Sequence, residues 1–237
     1  MNTNTPKILL IGDSIRLGYD ALVKEAYKNQ AQVLFPDDNC RFSTYVLRNL
    51  HEWAQGLGCT EDLACIHWNV GAWDTLTLFD DGPLVPLSAY EECMERICKR
   101  IDLLFPSAKK IFATTTPMAE HLFDNPKVMM RYNSDIEKFN DIAISVVKKY
   151  GHEINDLYAL MSCQKEDYHS DTSHYYTKTG AQIITKKVCN EIDRAIGTEA
   201  GNIDFDMWFD KTDCYEGGAW LEKRAQVIKQ RAQTLGV

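Results

Sequence analysis

The chain has no long hydrophobic run. A membrane-spanning helix needs about 20 consecutive apolar residues, and no stretch of the sequence approaches that. The apolar segment nearest the N-terminus, Ile8 to Ile11, stops at Gly12 and is also too short for a signal-peptide core. The expected compartment is therefore the cytoplasm, with no membrane partner. Metal-ligand spacing is missing as well. The eight cysteines (Cys40, Cys59, Cys65, Cys93, Cys98, Cys163, Cys189 and Cys214) include no Cys-x-x-Cys pair, and the histidines include no His-x-x-x-His. This argues against a metal-dependent deacetylase, and no metal or other cofactor is expected. The cysteines are read as reduced thiols serving as small hydrophobes. Positive charge is not in excess: the formal net charge of −8 argues against nucleic acid or an anionic membrane as partner. Internal repeats and low-complexity tracts are also absent.

Apolar runs alternate with amphipathic stretches, the pattern of βαβ units around a mainly parallel sheet. Strands are expected at Lys7 to Ile11, Gln32 to Phe35, Leu63 to Trp68, Lys110 to Thr115 and His152 to Asn155. Helical spacing covers Leu17 to Tyr27, Thr44 to Leu57, Arg131 to Tyr150 and Thr177 to Ile196. Ser88 with Glu91 reads as a capping box opening a further helix that Pro106 ends near Phe105. The expected fold is a three-layer α/β/α sandwich over residues 1–197, with a five-stranded mainly parallel sheet. Residues 198–237 form an aromatic and helical extension, not an independent domain. Its Trp208, Phe209 and Trp220 need burial, first against the parent domain, with a homodimer contact or a rim of the site as the alternatives. A short basic-polar helix is expected from Leu221 to Leu235.

In open α/β sheets, ligands bind beyond the carboxyl ends of the strands, where the strand order reverses. Three segments of chemical interest fall after expected strands or in loops. Gly12-Asp13-Ser14 follows the first strand. The tripeptide alone fits a helix N-cap better than a nucleophile, since that is a common use of serine. A strand-to-helix turn would also present Ser14 to backbone amides that favour an oxyanion. Asp171 and His174, three residues apart, can meet in one turn, where the carboxylate accepts the imidazole Nδ1–H and leaves Nε2 as base. The plainer alternative is a surface histidine with an acidic neighbour. Asn69-Val70-Gly71-Ala72-Trp73-Asp74 follows the third strand. There Asn69 could donate to an oxyanion, or Asn69 and Asp74 could simply cap the loop. Asp13 is expected to fix the turn before Ser14 through backbone bonds. Arg16 is expected to pair beneath the site rather than touch substrate. His67, Trp68 and Trp73 are read as packing, with Trp73 also suited to lining a pocket, and His121 and His169 as solvated.

Taken in order, the three segments resemble the SGNH or GDSL hydrolase family over about residues 7 to 197. Gly12-Asp13-Ser14-Ile15-Arg16-Leu17-Gly18-Tyr19 is similar to that family's first block, and Asp171-Thr172-Ser173-His174-Tyr175 with Gly180 to its last. The resemblance implies a flavodoxin-like sheet with Ser14 as nucleophile, His174 as base and Asp171 as its orienting acid. It implies an oxyanion hole made of the Ser14 amide, a block-two amide and an asparagine side chain. The third block departs from the usual Gly-x-Asn-Asp. It reads Gly71-Ala72-Trp73-Asp74, and Asn69 takes the donor role as in a subgroup with Asn-x-Gly-x-Trp-Asp. Block two has no obvious glycine, so the Cys40 amide is expected in its place, with Arg41 as the neighbouring alternative.

The implied activity is hydrolysis of a small acyl ester through an acyl-enzyme. Acetyl is the acyl group that the resemblance suggests. With no long apolar lid and with polar and aromatic loops, an O-acetylated carbohydrate is the first expected substrate. A short-chain lipid esterase, lysophospholipase or thioesterase is the alternative, and a non-catalytic binding protein on the same scaffold a more distant one.

Overall fold

In the computed structural model, residues 5–59 and 61–209 are described. The expected helix from Leu221 to Leu235, Trp220 and most of the C-terminal extension lie outside them. Five strands form one parallel sheet: β1 (Lys7–Ile11), β2 (Gln32–Leu34), β3 (Leu63–Trp68), β5 (Lys109–Ala113) and β7 (Glu153–Asn155), in the order β2-β1-β3-β5-β7. Two short strands, β4 (Thr77–Leu78) and β6 (Met129–Met130), form a separate antiparallel ribbon.

The central strands are apolar throughout because helices cover both faces of the sheet. Side chains alternate across a strand, and the core divides accordingly. Leu9, Ile11, Ile66, Trp68 and Phe112 pack with α3 (Ser43–Gly56), α4 (Leu87–Leu104) and α5 (Asn133–Lys149). Ile8, Leu10, Cys65, Ile111 and Ala113 pack on the opposite face with α2 (Asp20–Ala26), α6 (Leu157–Ser162) and α7 (Lys178–Ile196). Thr177 caps α7 by accepting from the Gly180 amide at 3.2 Å, and Gly197, at φ +66°, ends it in the left-handed conformation.

Three local expectations are corrected. The helix expected from Leu17 to Tyr27 is two: α1 (Ser14–Leu17) and α2, interrupted at Gly18 and Tyr19. A methyl group on Gly18 would lie 2.7 Å from the Tyr176 ring, so the break makes room for that ring. Ser88 does not cap α4, which starts one residue earlier behind Pro86 with no side-chain cap. Helix α5 starts at Asn133, not Arg131, because β6 runs directly into Arg131 and that side chain turns toward the loops at the sheet's carboxyl edge.

The described start of the extension packs on its own domain. Ala200 donates its amide to Asp193 at 3.1 Å and Gly201 donates to the Ala26 carbonyl at 2.8 Å. Phe205 and Phe209, in α8 (Phe205–Phe209), are buried with Leu22, Tyr176 and Ala181, and Trp208 packs beside them. No helix among the described residues is long and apolar enough to cross a membrane.

Candidate active site

The chain leaves β1 toward β2 on one side and β3 toward β5 on the other, so the strand order reverses between β1 and β3. Ser14 and Asn69 emerge at that point. Asp13, not Ser14, is the N-cap of α1: its Oδ1 accepts the Ile15 amide at 2.9 Å. The capping role is therefore taken, and Ser14 opens the helix with its side chain available for other work. A helix of four residues supplies little macrodipole, so the expected dipole support for an oxyanion is small here. Asp13 is fully buried, and loss of water pushes its carboxyl pKa up against the opposing Ile15 bond.

Arg16 holds this turn from below. Fully buried, it pairs with Asp20 and donates to the carbonyls of Gly12 (3.3 Å), Pro36 (3.2 Å) and Asp38 (2.5 Å). One side chain thus ties the loop after β1 to the loop after β2. Burial raises the Asp20 pKa to about 6 even with Arg16 attached.

Asn69 follows β3, with its amide on the Ile11 carbonyl at 3.0 Å. Its side chain lies against the serine turn: a methyl group on Gly12 would come within 1.9 Å of Asn69 Oδ1. Glycine at position 12 is what admits that approach. Both polar atoms of the Asn69 side chain are buried without a hydrogen-bond partner among the described residues. Gly71, at φ +143°, is a support: a side chain there would meet Thr115 Oγ1 at 2.7 Å. Asp74 reaches across to α3, taking the Ser43 hydroxyl at 2.6 Å and the Ser43 amide at 3.1 Å. Burial raises its carboxyl pKa to about 7 despite those bonds. Trp73 packs edge-on against Phe42 with centroids 5.4 Å apart, both partly buried.

The block-two expectation needs correction. The Cys40 amide donates to the Gly12 carbonyl at 3.1 Å, so it stabilises the serine turn and is not available to an oxyanion. The alternative, the Arg41 amide, donates to Asn39 Oδ1 at 3.1 Å. Arg41 has φ +45°, and its guanidinium lies over the Tyr45 ring.

Asp171 and His174 meet in a single turn. The carboxylate accepts the Ser173 and His174 amides at 2.8 and 2.9 Å, and His174 Nδ1 lies 2.7 Å from Oδ2. Partial burial would raise the Asp171 pKa. The imidazole and the two amides outweigh it and hold the carboxyl at about 2. His174 Nε2 is buried with no hydrogen-bond partner among the described residues. Tyr176, which sequence reasoning missed, joins this turn to the serine. Its ring stacks on His174 with centroids 4.6 Å apart, and its hydroxyl donates to the Ser14 carbonyl at 2.5 Å. Its only trace in the sequence is the tyrosine pair directly after His174.

His67 is buried and bonded to Asn155 at 3.0 Å, with its pKa depressed to about 3 by burial; it packs, as does Trp68. His121 is exposed as expected, but His169 is not: it lies between Asp167 and the Pro117 carbonyl and packs on Tyr175. The described residues gather no group of three or more histidine, cysteine or acidic side chains that could hold a metal.

A serine turn at the switch point, an unpartnered amide beside it and an Asp–His pair at the same edge can support nucleophilic acyl transfer. The fold is that of the GDSL-like acylhydrolases. The lipase/acylhydrolase from Enterococcus faecalis matches with a TM-score of 0.62 at 20% identity, over 80% of this chain and 96% of its own. An acetyl xylan esterase matches with a TM-score of 0.58 at 14% identity, over 78% and 98%. In sequence, the chain is 24% identical over 214 residues to the Mus musculus protein named isoamyl acetate-hydrolyzing esterase 1 homolog, covering 81% of this chain and 84% of that one. No protein-family model matches the chain.

Proposed function

We propose that this chain is a serine esterase of the GDSL type, acting on small acetyl esters. The observation that carries the reading is the Asp171–His174 pair with its unclaimed Nε2, held beside the serine turn by Tyr176, which stacks on the imidazole and donates to the Ser14 backbone carbonyl. His174 Nε2 takes the hydroxyl proton as Ser14 Oγ adds to the ester carbonyl. The Ser14 amide and Asn69 Nδ2 hold the oxyanion. The alcohol departs with the proton from His174, and the acyl-enzyme is released by water that the same imidazole activates. Asp171 keeps the imidazole in the tautomer this needs. Asn69, Gly71, Trp73 and Asp74 fit the Asn-x-Gly-x-Trp-Asp subgroup.

The substrate proposed first is an O-acetylated carbohydrate that has entered the cytoplasm. The fold shared with an acetyl xylan esterase supports it, as does the partly buried aromatic pair Phe42 and Trp73 at the site. A second reading, an acetate of a short alkyl alcohol, is favoured by the name of the mouse relative.

The test compares para-nitrophenyl acetate, butyrate and octanoate with wild type and Ser14→Ala. Acetate turnover should exceed the others and drop at least about 10⁴-fold in the variant, with melting unchanged. Undiminished turnover by Ser14→Ala would sink the mechanism, and a preference for octanoate would sink the acetyl reading. Acetylated xylo-oligosaccharides against isoamyl acetate then separate the two alcohols.

A further inference from the structure

Arg131 touches two of the site's loops, and nothing in the chemistry above uses it. It directly follows β6, whose Met130 pairs with Thr77 of β4, and β4 continues from the loop that holds Asn69, Gly71 and Trp73. From there Arg131 turns back to that loop, donating Nε–H to the Ala72 carbonyl at 2.6 Å. Its Nη1 donates to Ser173 Oγ at 3.3 Å, inside the turn that carries Asp171 and His174. The guanidinium is largely withdrawn from water, which pulls its pKa down, while the carboxylates of Asp13 and Asp171 offset that pull. A desolvated cation with two acceptors on separate loops is a costly feature to keep unless the connection matters.

We propose that Arg131 is a positioning residue, fixing the Asp171–His174 turn relative to the Asn69 loop through its paired bonds to Ala72 and Ser173. A planar guanidinium can hold two acceptors in a set relation, and an ammonium cannot. The connection is sequence-distant: Ser173 and Ala72 are tied by a residue from the ribbon between β5 and α5. It rests on the esterase reading only for its kinetic arm.

The test uses the full chain with Arg131→Met, Arg131→Lys and Ser173→Ala, and two readouts. The first is kcat and KM on para-nitrophenyl acetate. Misplacement of reacting groups by about 1 Å costs on the order of 10²-fold. Arg131→Met should therefore lose about that much in kcat, with KM nearly constant. Ser173→Ala should lose less, and Arg131→Lys should fall between. The second is hydrogen exchange at the Ser173 and His174 amides, which donate to Asp171; exchange there should quicken in Arg131→Met while the β1 and β3 amides stay protected. The exchange arm does not depend on what is hydrolysed, so it still judges Arg131 if wild type shows no Ser14-dependent turnover. Unchanged kcat and unchanged exchange at these two amides, with only a lower melting temperature, overturns the proposal. So does a rise confined to KM, which would make Arg131 a substrate contact.

Discussion

Asp74 and Asp171 are carboxylates in the same site, each accepting backbone amide hydrogen bonds, and their pKa values move in opposite directions. Asp74 has no exposure to water and its donors, the hydroxyl and amide of Ser43 and its own amide, are neutral; its pKa rises to about 7. Asp171 has a side chain 49% exposed and meets an imidazole and two amides; its pKa falls to about 2. Donor count does not decide the difference. Solvent and a partner able to carry positive charge do. The half of the site built on β1 and β3 is a dry frame, and the half before α7 is a wet, ionised working edge.

The sharpest way to break this comparison is to neutralise the working edge. Asp171→Asn retains much of the shape but removes the charge that orients His174. It should lower kcat about 10⁴-fold, near 5.5 kcal/mol in barrier, with a much smaller loss of stability, since the half-exposed carboxylate is partly screened by water. A loss below tenfold would mean that the imidazole does not need this partner.

The dry frame should respond in stability instead. Arg16→Met leaves Asp20 buried without its cation and opens the carbonyls of Gly12, Pro36 and Asp38. Removing one member of a buried pair costs about 3–5 kcal/mol, read by urea unfolding. A cost under 1 kcal/mol would show that the turn after β1 holds without it. Asn69→Ala sits between the halves: kcat should fall about 10²–10³-fold, near 3–4 kcal/mol, with a smaller loss of stability, because the side chain makes no close hydrogen bond and only eases the buried Asp13 carboxylate. A drop in stability matching the drop in rate would assign Asn69 to the frame.

The last effect is in pH dependence. The Asp74 pKa is raised from 3.8 to about 7, so its favourable contribution is full below pH 3.8 and is lost as pH rises through 7. The Asp171 pKa is lowered from 3.8 to about 2, so its contribution is present above 3.8 and is lost as pH falls toward 2. Asp74→Asn should flatten the stability profile between pH 3.8 and about 7 and leave the acid window alone. A change confined to the acid window would reverse the assignment.

The strands of the sheet and the segments that meet at the candidate site were legible from sequence because they depend on local signals. Continuous apolar runs mark buried parallel strands, and Leu63–Trp68 was bounded to the residue. Ser14, Asp171 and His174 stand in compact segments. What could not be read depends on which distant partner claims a group. The Cys40 amide looks available until the chain folds and the Gly12 carbonyl takes it. Arg131 resembles a helix start until β6 pairs with β4 and draws it off. Gly18 looks like tolerated glycine inside a helix until the Tyr176 ring, 158 positions later, needs its space. The two-residue strands β4 and β6 are too short to show any periodicity.

The ribbon of β4 and β6 has a bearing on loop engineering. It joins the segment after β3 to the segment after β5 by backbone pairing, with Phe79 donating its amide to the Val128 carbonyl at 3.0 Å. The two segments form one exchangeable cassette although α4 and β5 lie between them in the chain. A chimera that imports one arm alone would strand the other's amides and carbonyls. Specificity grafts onto this scaffold must carry both arms together.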